Sequence, residues 1–292
     1  MSLRNKYLGS CFILLFAVII IYASFSSYNL LFNSIICSLE IWLYKIVPPI
    51  ATFYIIVSFL MASNLLDKVL FIFKPVSRLF HFDSMLSFNL MLVGILIGNP
   101  SASLFYSDYY QKGLITKHDY EILIYCGSFV SPLFIYSFFN SYIVLFCHIF
   151  SNFVICWLLC KKNNVSGNTN IKFHGSFFER LNNLSPLLLS IASVMIFITI
   201  CKFSLQLILP NRYFSIALAF LELCSGLTEL SSYPFLSVFL LGFGGLAIHG
   251  QILNVAAKEF SYFKFFIFRI IQGGLSVTFY YIALIYANFA AS

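Results

Sequence analysis

Four stretches of this sequence carry residues whose type and spacing could do chemistry. The first is Gly98-Asn99-Pro100-Ser101-Ala102-Ser103, where a turn of amides and hydroxyls ends an apolar run. A helix restarting after Pro100 would aim free N–H groups and a partial positive charge at an anionic or polar ligand. The plainer alternative is a turn between packed helices, satisfied by its neighbours. The second is Gly127-Ser128-Phe129-Val130-Ser131-Pro132. Pro132 removes a backbone hydrogen bond and frees a carbonyl, and Ser128 and Ser131 can either re-satisfy it or line a site with it.

The third stretch holds Glu222, Ser225, Gly226 and Glu229. Carboxylates inside apolar sequence cost at least a few kcal/mol to place in a membrane and are functional candidates by default. Glu222 is the deeper of the two, suited to carry a proton or accept from a polar group, with Lys202 as its candidate partner; Glu229 is expected at the interface and hydrated. The fourth is Phe243-Gly244-Gly245-Leu246-Ala247-Ile248-His249-Gly250-Gln251. The glycine pair permits close backbone approach, so an unwound stretch is expected there. His249 and Gln251 either serve a site or hold the bundle by interhelical hydrogen bonds.

The elements that position these residues must be membrane helices. Of 292 residues, 61% are hydrophobic, 19% aromatic and only 9% charged, and the mean hydropathy is +0.93. A soluble surface needs about a quarter charged residues, so lipid is the solvent. The net charge of +7 is dispersed over short loops, which suits topology determination and argues against a nucleic-acid partner. The eight cysteines show no CxxC pair and sit almost entirely in apolar runs. Cys156 and Cys160 share a helix face, but packing is the better account of them than metal binding. No metal or cofactor is expected.

Spans are expected at about 8–23, 46–63, 119–139, 142–160, 185–209, 235–257 and 265–286. The span at 46 opens with Pro48 and Pro49, which a first helical turn tolerates. The run from Leu86 to Gly98 is about 20 Å long at ~1.5 Å per residue, short of a ~30 Å hydrocarbon core. It reads as one arm of a re-entrant hairpin with its tip at Asn99 and Pro100. Lysine and arginine counting agrees, since a hairpin keeps the basic loops of Lys68, Lys74 and Arg78, Lys112 and Lys117, and Lys161 to Arg180 on one side. Residues 213–230 read as a second interrupted element, entering from the opposite side.

These expectations give an all-α polytopic protein of about seven spans and two re-entrant or broken hairpins. Residues 1–45 form an N-terminal helix and loop, 46–160 a first repeat, 161–184 a linker on the basic side, and 185–292 a second repeat with the final helix. In each half a proline-started span precedes a short broken element and then a span interrupted near its middle, in opposite orientations. That pattern is the inverted repeat of secondary transporters.

The run Gly98-Asn99-Pro100-Ser101, then Asp108 with Lys112-Gly113, Cys126 and Ser131-Pro132-Leu133-Phe134, resembles the first motif block of the nucleoside-recognition or Gate membrane family. Glu222 with Gly226, and Phe243-Gly244-Gly245-Leu246 with His249 and Gln251, resemble the second block in its sporulation integral membrane (YlbJ-like) branch. The resemblance covers about Ile46 to the last span. It departs at Asn99, Ala102 and Ser103, where the family has an aromatic and then Gly-Ala, and at Gly127, where it tends to have Asn. The resemblance implies a fold like that of concentrative nucleoside transporters, a bacterial multi-pass membrane location in spore formers, at the outer forespore membrane, and movement of dipicolinate during spore maturation.

The expected function is therefore carriage of a small polar or anionic solute by Gly98 to Ser103, Ser128 to Pro132, Glu222 to Gly226 and Gly244 to Gln251. Its partners are the lipid bilayer and that solute, with proton coupling and a homo-oligomer left open. Two alternatives stand beside it: a non-transporting assembly or sensing protein of the spore envelope, and, less favoured, an intramembrane hydrolase using Ser101 or Ser103 with His249.

Overall fold

The computed structural model describes residues 14, 17–63, 65–77, 79–80, 82–127, 129–160, 176–208, 212–257 and 259–291. The first expected span and the linker between halves therefore lie largely outside the described residues, and Ser128 lies outside them altogether. The described residues are helical, with no strand among them.

In sequence order the main helices are α1 (Tyr28–Ile41), α2 (Val47–Ala62), α3 (Met85–Ile97), α4 (Ser101–Gln111), α5 (Lys117–Cys126), α6 (Pro132–Phe139) and α7 (Tyr142–Leu159). They are followed by α8 (Phe177–Asn182), α9 (Leu184–Ile208), α10 (Arg212–Ala219), α11 (Leu223–Glu229), α12 (Pro234–Phe243), α13 (Gly245–Val255) and α14 (Tyr262–Ala291). Their starts follow from local chemistry. Ser84, Thr116, Ser131, Ser141 and Ser176 each precede a helix, and each side-chain oxygen accepts from the amide three residues on. That bond satisfies one of the donors a helix start leaves unpaired.

Among the described residues, five helical segments are long and apolar enough to cross a membrane: Tyr28–Ala62, Tyr142–Leu159, Phe177–Gln206, Pro234–Val255 and Tyr262–Ala287. Their outer faces carry large bare side chains, among them Phe146 and Trp157 on α7 and Phe263 and Tyr286 on α14. Such a surface is consistent with a multi-pass membrane protein.

One boundary differs from the sequence expectation, and one expected interruption is present. No loop separates residues 1–45 from the span at 46: helix runs unbroken from Tyr28, passing into α2 through a wide π turn at Trp42–Ile46. Pro48 and Pro49 lack the N–H groups an ordinary turn would use, and a π turn just ahead of them lets the ladder widen instead of ending. The expected span at 119–139 is two short helices, α5 and α6, separated by residues 127–131.

The core is a nest of broken elements. The pairs α3–α4 and α10–α11 are helical hairpins, and α5, α7, α12, α13 and α14 pack around them. A close helix crossing joins α12 and α14, where a Cβ on Gly242 would lie 2.5 Å from Gly273 Cα and one on Gly273 would lie 2.9 Å from the Phe239 carbonyl oxygen. Small residues at such a crossing let backbones touch, which is the main attraction available between helices in lipid. Gly273→Val should push α14 off α12 and lower the thermal unfolding midpoint of the detergent-solubilised protein, with a loss of about 2–3 kcal/mol. Gly274, whose Cβ would meet nothing, is the control, and equal losses at Gly273 and Gly274 would refute the close crossing.

Candidate functional site

The residues singled out in the sequence fall at the tips of the two hairpins and at the two breaks that follow them. Backbone hydrogen bonds join each tip to its break. In the first half, Asn99 N donates to Phe129 O at 2.7 Å. In the second, Leu246 N donates to Phe220 O at 3.1 Å and Ala247 N to Leu221 O at 2.8 Å. Glycine makes both approaches feasible: a Cβ on Gly98 would lie 2.6 Å from Ser131 N, and one on Gly245 would lie 2.9 Å from Leu223 N. Gly98, Gly244 and Gly245 also adopt positive φ angles of 76°, 92° and 71°, which only glycine enters without penalty.

Both tips and both breaks face one cavity. Asn99 and Pro100, Val130 and Ser131, Glu222 to Cys224, and Ala247, Ile248 and Gln251 line it, with Ile46 and Ile50 from the first long helix and Ile191 and Met195 from α9 closing the sides. The volume open to water centres is about 40 Å³, room for a few waters. Of the sequence candidates, Asn99, Pro100, Ser131, Glu222 and Gln251 line it, while Gly98, Ser101, Ser103, Pro132, Ser225, Gly226, Gly244, Gly245 and His249 stand behind that lining.

The local bonding gives each of these a role. Asn99 Oδ1 accepts from Ser103 N at 3.2 Å and Ser103 Oγ at 2.8 Å, so Asn99 closes the start of α4. The amides of Ala102 and Leu104 are taken by Gly98 O and Pro100 O. Three of the amides expected to be free, those of Ala102, Ser103 and Leu104, are thus already occupied, because the turn caps itself. Pro132 is the first residue of α6, behind the cap formed by Ser131. Gly226 packs against the Ala219 carbonyl oxygen, holding the arms of the second hairpin together.

Glu222 is buried and caps α11, its two carboxylate oxygens accepting from Cys224 N at 2.8 Å and Ser225 N at 2.6 Å. Such charge-assisted bonds hold a carboxylate where an unpaired one could not stay. Lys202 is not its partner. Its ammonium lies 2.5 Å from Glu229 Oε1 and donates to Ser225 Oγ at 3.1 Å. Glu229 is therefore ion-paired instead of merely hydrated: hairpin closure turns its arm towards α9, where the buried Lys202 needs a counter-charge.

His249 is committed to structure. Its Nε2 is 2.9 Å from Phe243 O, the carbonyl released by the left-handed Gly244, and its Nδ1 is 3.4 Å from Tyr262 Oη. A carbonyl cannot donate, so Nε2 carries the proton. Neither Ser101 nor Ser103 is bonded to His249, and the base of a Ser–His pair is otherwise engaged.

Sequence reading missed the residues that secure the breaks from behind. Val130 N donates to His148 Nε2 at 3.2 Å, and Arg269 Nε donates to Phe243 O at 3.2 Å. His148 is on α7 and Arg269 at a similar depth on α14, within electrostatic reach of each other. Ser151 and Ser276 join the two helices through their hydroxyls at 2.8 Å, and Gln272 accepts from Arg269 Nη1. The available signal was a polar residue in an apolar run, as at Arg269, Gln272, His148 and Asn152.

A second, more polar cavity of about 170 Å³ lies between α2, α4, α8 and α13. It begins one turn along the same helices: Ile50, Pro100 and Gln251 line the first cavity, and Tyr54, Leu104 and Val255 line the second. Tyr54, Phe105 and Arg180 line the second cavity, with the two rings 5.5 Å apart, the guanidinium 5.3 Å from the Phe105 ring, and Tyr54 Oη donating to Arg180 O at 3.0 Å. Compared with family models, with curated proteins and with solved structures, the protein matches none.

Proposed function

We propose that this protein is a polytopic membrane carrier for a small polar solute, with its binding site at the cavity between the hairpin tips. The supporting observation is the convergence of two hairpin tips and two broken helices on that one cavity, each tip joined to its break by backbone hydrogen bonds. Irregular backbone at membrane depth is tolerated where it lines a cavity, and paired broken helices at one locus are how secondary transporters assemble a site. On this reading α2 to α7 and α9 to α14 are inverted repeats, the hairpins are re-entrant, and seven spans include the broken pair α5–α6 and the apolar run before Ser24. The side bearing Lys112, Lys117 and Arg180 is cytoplasmic. The family resemblance adds a place in the membranes of a spore-forming bacterium and names dipicolinate as a solute.

The test is uptake by proteoliposomes containing the purified protein, with dipicolinate and uridine supplied separately. Saturable uptake of at least one of the two is expected, and Asn99→Ala should reduce it about tenfold or more at unchanged protein level, since Asn99 faces the cavity and closes α4. Uptake of neither by correctly inserted protein would point instead to a non-transporting role in the envelope.

A further inference from the structure

The charge of the cavity wall restricts what it can hold. Glu222 is the one acidic or basic residue among the described residues that line it. The nearby cation, Lys202, is turned to Glu229. Several amides at the helix starts facing the cavity are taken from within: those of Ala102, Ser103 and Leu104 by Gly98 O, Asn99 Oδ1 and Pro100 O, and those of Cys224 and Ser225 by Glu222. A carboxylate solute would meet no cation on this wall, and would face the Glu222 carboxylate where little water screens the two groups.

What the cavity does offer is uncharged. Asn99 Nδ2 is buried without a hydrogen-bond partner. Gln251 lines the cavity and its amide makes no hydrogen bond to the described residues, leaving donor and acceptor free. Each Glu222 oxygen holds one backbone amide and keeps lone pairs for another donor, since a carboxylate has about four acceptor sites. The remaining wall is aliphatic apart from Phe134, Ser131 and Cys224.

We infer that the site selects an uncharged solute with a small apolar or aromatic body, carrying N–H or O–H donors for Glu222 and a carbonyl-type acceptor for Asn99, and that it rejects dianions. This rests on the carrier reading above. The cavity at its present volume of about 40 Å³ holds only water, so on this reading the solute enters as the tips part from α2 and α9.

Two isosteres separate charge from shape: dipicolinate, and pyridine-2,6-dicarboxamide, which has the same ring and substitution but no charge at pH 7. Both would be offered to proteoliposomes holding the full-length protein, and binding would be read independently as protection of Cys224, which lines the cavity, from N-ethylmaleimide by mass spectrometry. The expected result is uptake and protection by the diamide at least about a hundredfold better than by dipicolinate, as repulsion between poorly screened charges implies. Glu222→Gln should narrow that ratio at least tenfold. Dipicolinate taken up as well as the diamide, or better, would overturn the inference and leave the carrier standing. Neither solute taken up, with Cys224 unprotected, would overturn the inference, and the carrier reading would fall with it only if uridine is not taken up either.

Discussion

Gly98→Ala is expected to cost about 3–5 kcal/mol, enough to leave little folded protein, whereas Gly113→Ala costs about 1 kcal/mol. Both residues have positive φ, 76° and 68°. They differ in what surrounds them: a Cβ at Gly98 would lie 2.6 Å from Ser131 N, and one at Gly113 would meet nothing within 4 Å. Gly98 also has ψ of 166°, a combination that is almost confined to glycine and costs other residues about 1–3 kcal/mol. Forcing the first tip away from its break adds a similar amount, as overpacking does, and stretches the bond from Asn99 N to Phe129 O. Gly245→Ala should behave like Gly98→Ala, because Leu223 N lies 2.9 Å from its Cβ position. Fluorescence-detected size exclusion and thermal unfolding in detergent would measure all three. Equal losses at Gly98 and Gly113 would mean that the tip and the break are not in contact.

Phe105→Ala should speed the alkylation of Cys224 by a membrane-impermeant maleimide, added from the side of Lys112 and Arg180, roughly tenfold to a hundredfold. Cys224 is buried at the deep cavity, and the larger cavity starts one helical turn nearer that side. The Phe105 ring, the Tyr54 ring and the Arg180 guanidinium meet on the wall of that larger cavity. An aromatic pair and a cation–π contact are each worth about 0.5–2 kcal/mol, and removing the shared ring abolishes both. Tyr54→Phe keeps the rings and loses the hydrogen bond to Arg180 O, so its effect should be smaller. Alkylation unchanged in Phe105→Ala would show that the route to Cys224 does not pass between these side chains.

Much of the irregular backbone is legible in the sequence because glycine and proline announce it. Gly98-Asn99-Pro100, Ser131-Pro132 and Gly244-Gly245 mark three of the four places where helix stops and restarts, and the structure has a helix end at each. The fourth, at Phe220 to Glu222, has no glycine or proline, and a carboxylate cap marks it instead. Glu222 stands out by its charge, although its bonding partners do not, because they are amides two and three residues further on. Pairings between distant positions are illegible: Lys202 with Glu229, Ser151 with Ser276, and His148 with the amide of Val130. Each depends on which helix face meets which, and a hydrophobic period fixes a face poorly when nearly every residue in the span is apolar. The same uniformity hides the continuous helix from Tyr28 to Ala62, where the proline pair suggests a beginning.

The bonds that clasp each hairpin tip to its break run from backbone amide to backbone carbonyl, so they do not read side-chain identity. Substitution at the positions between them that face the cavity, such as Asn99, Ser131, Ala247 or Gln251, leaves the clasp intact provided Gly98 and Gly245 remain. A protein built this way can change what it recognises by single replacements without first losing its architecture. Relatives of one shape could therefore differ widely in the solutes they accept, with the glycines held fixed and the lining free to drift.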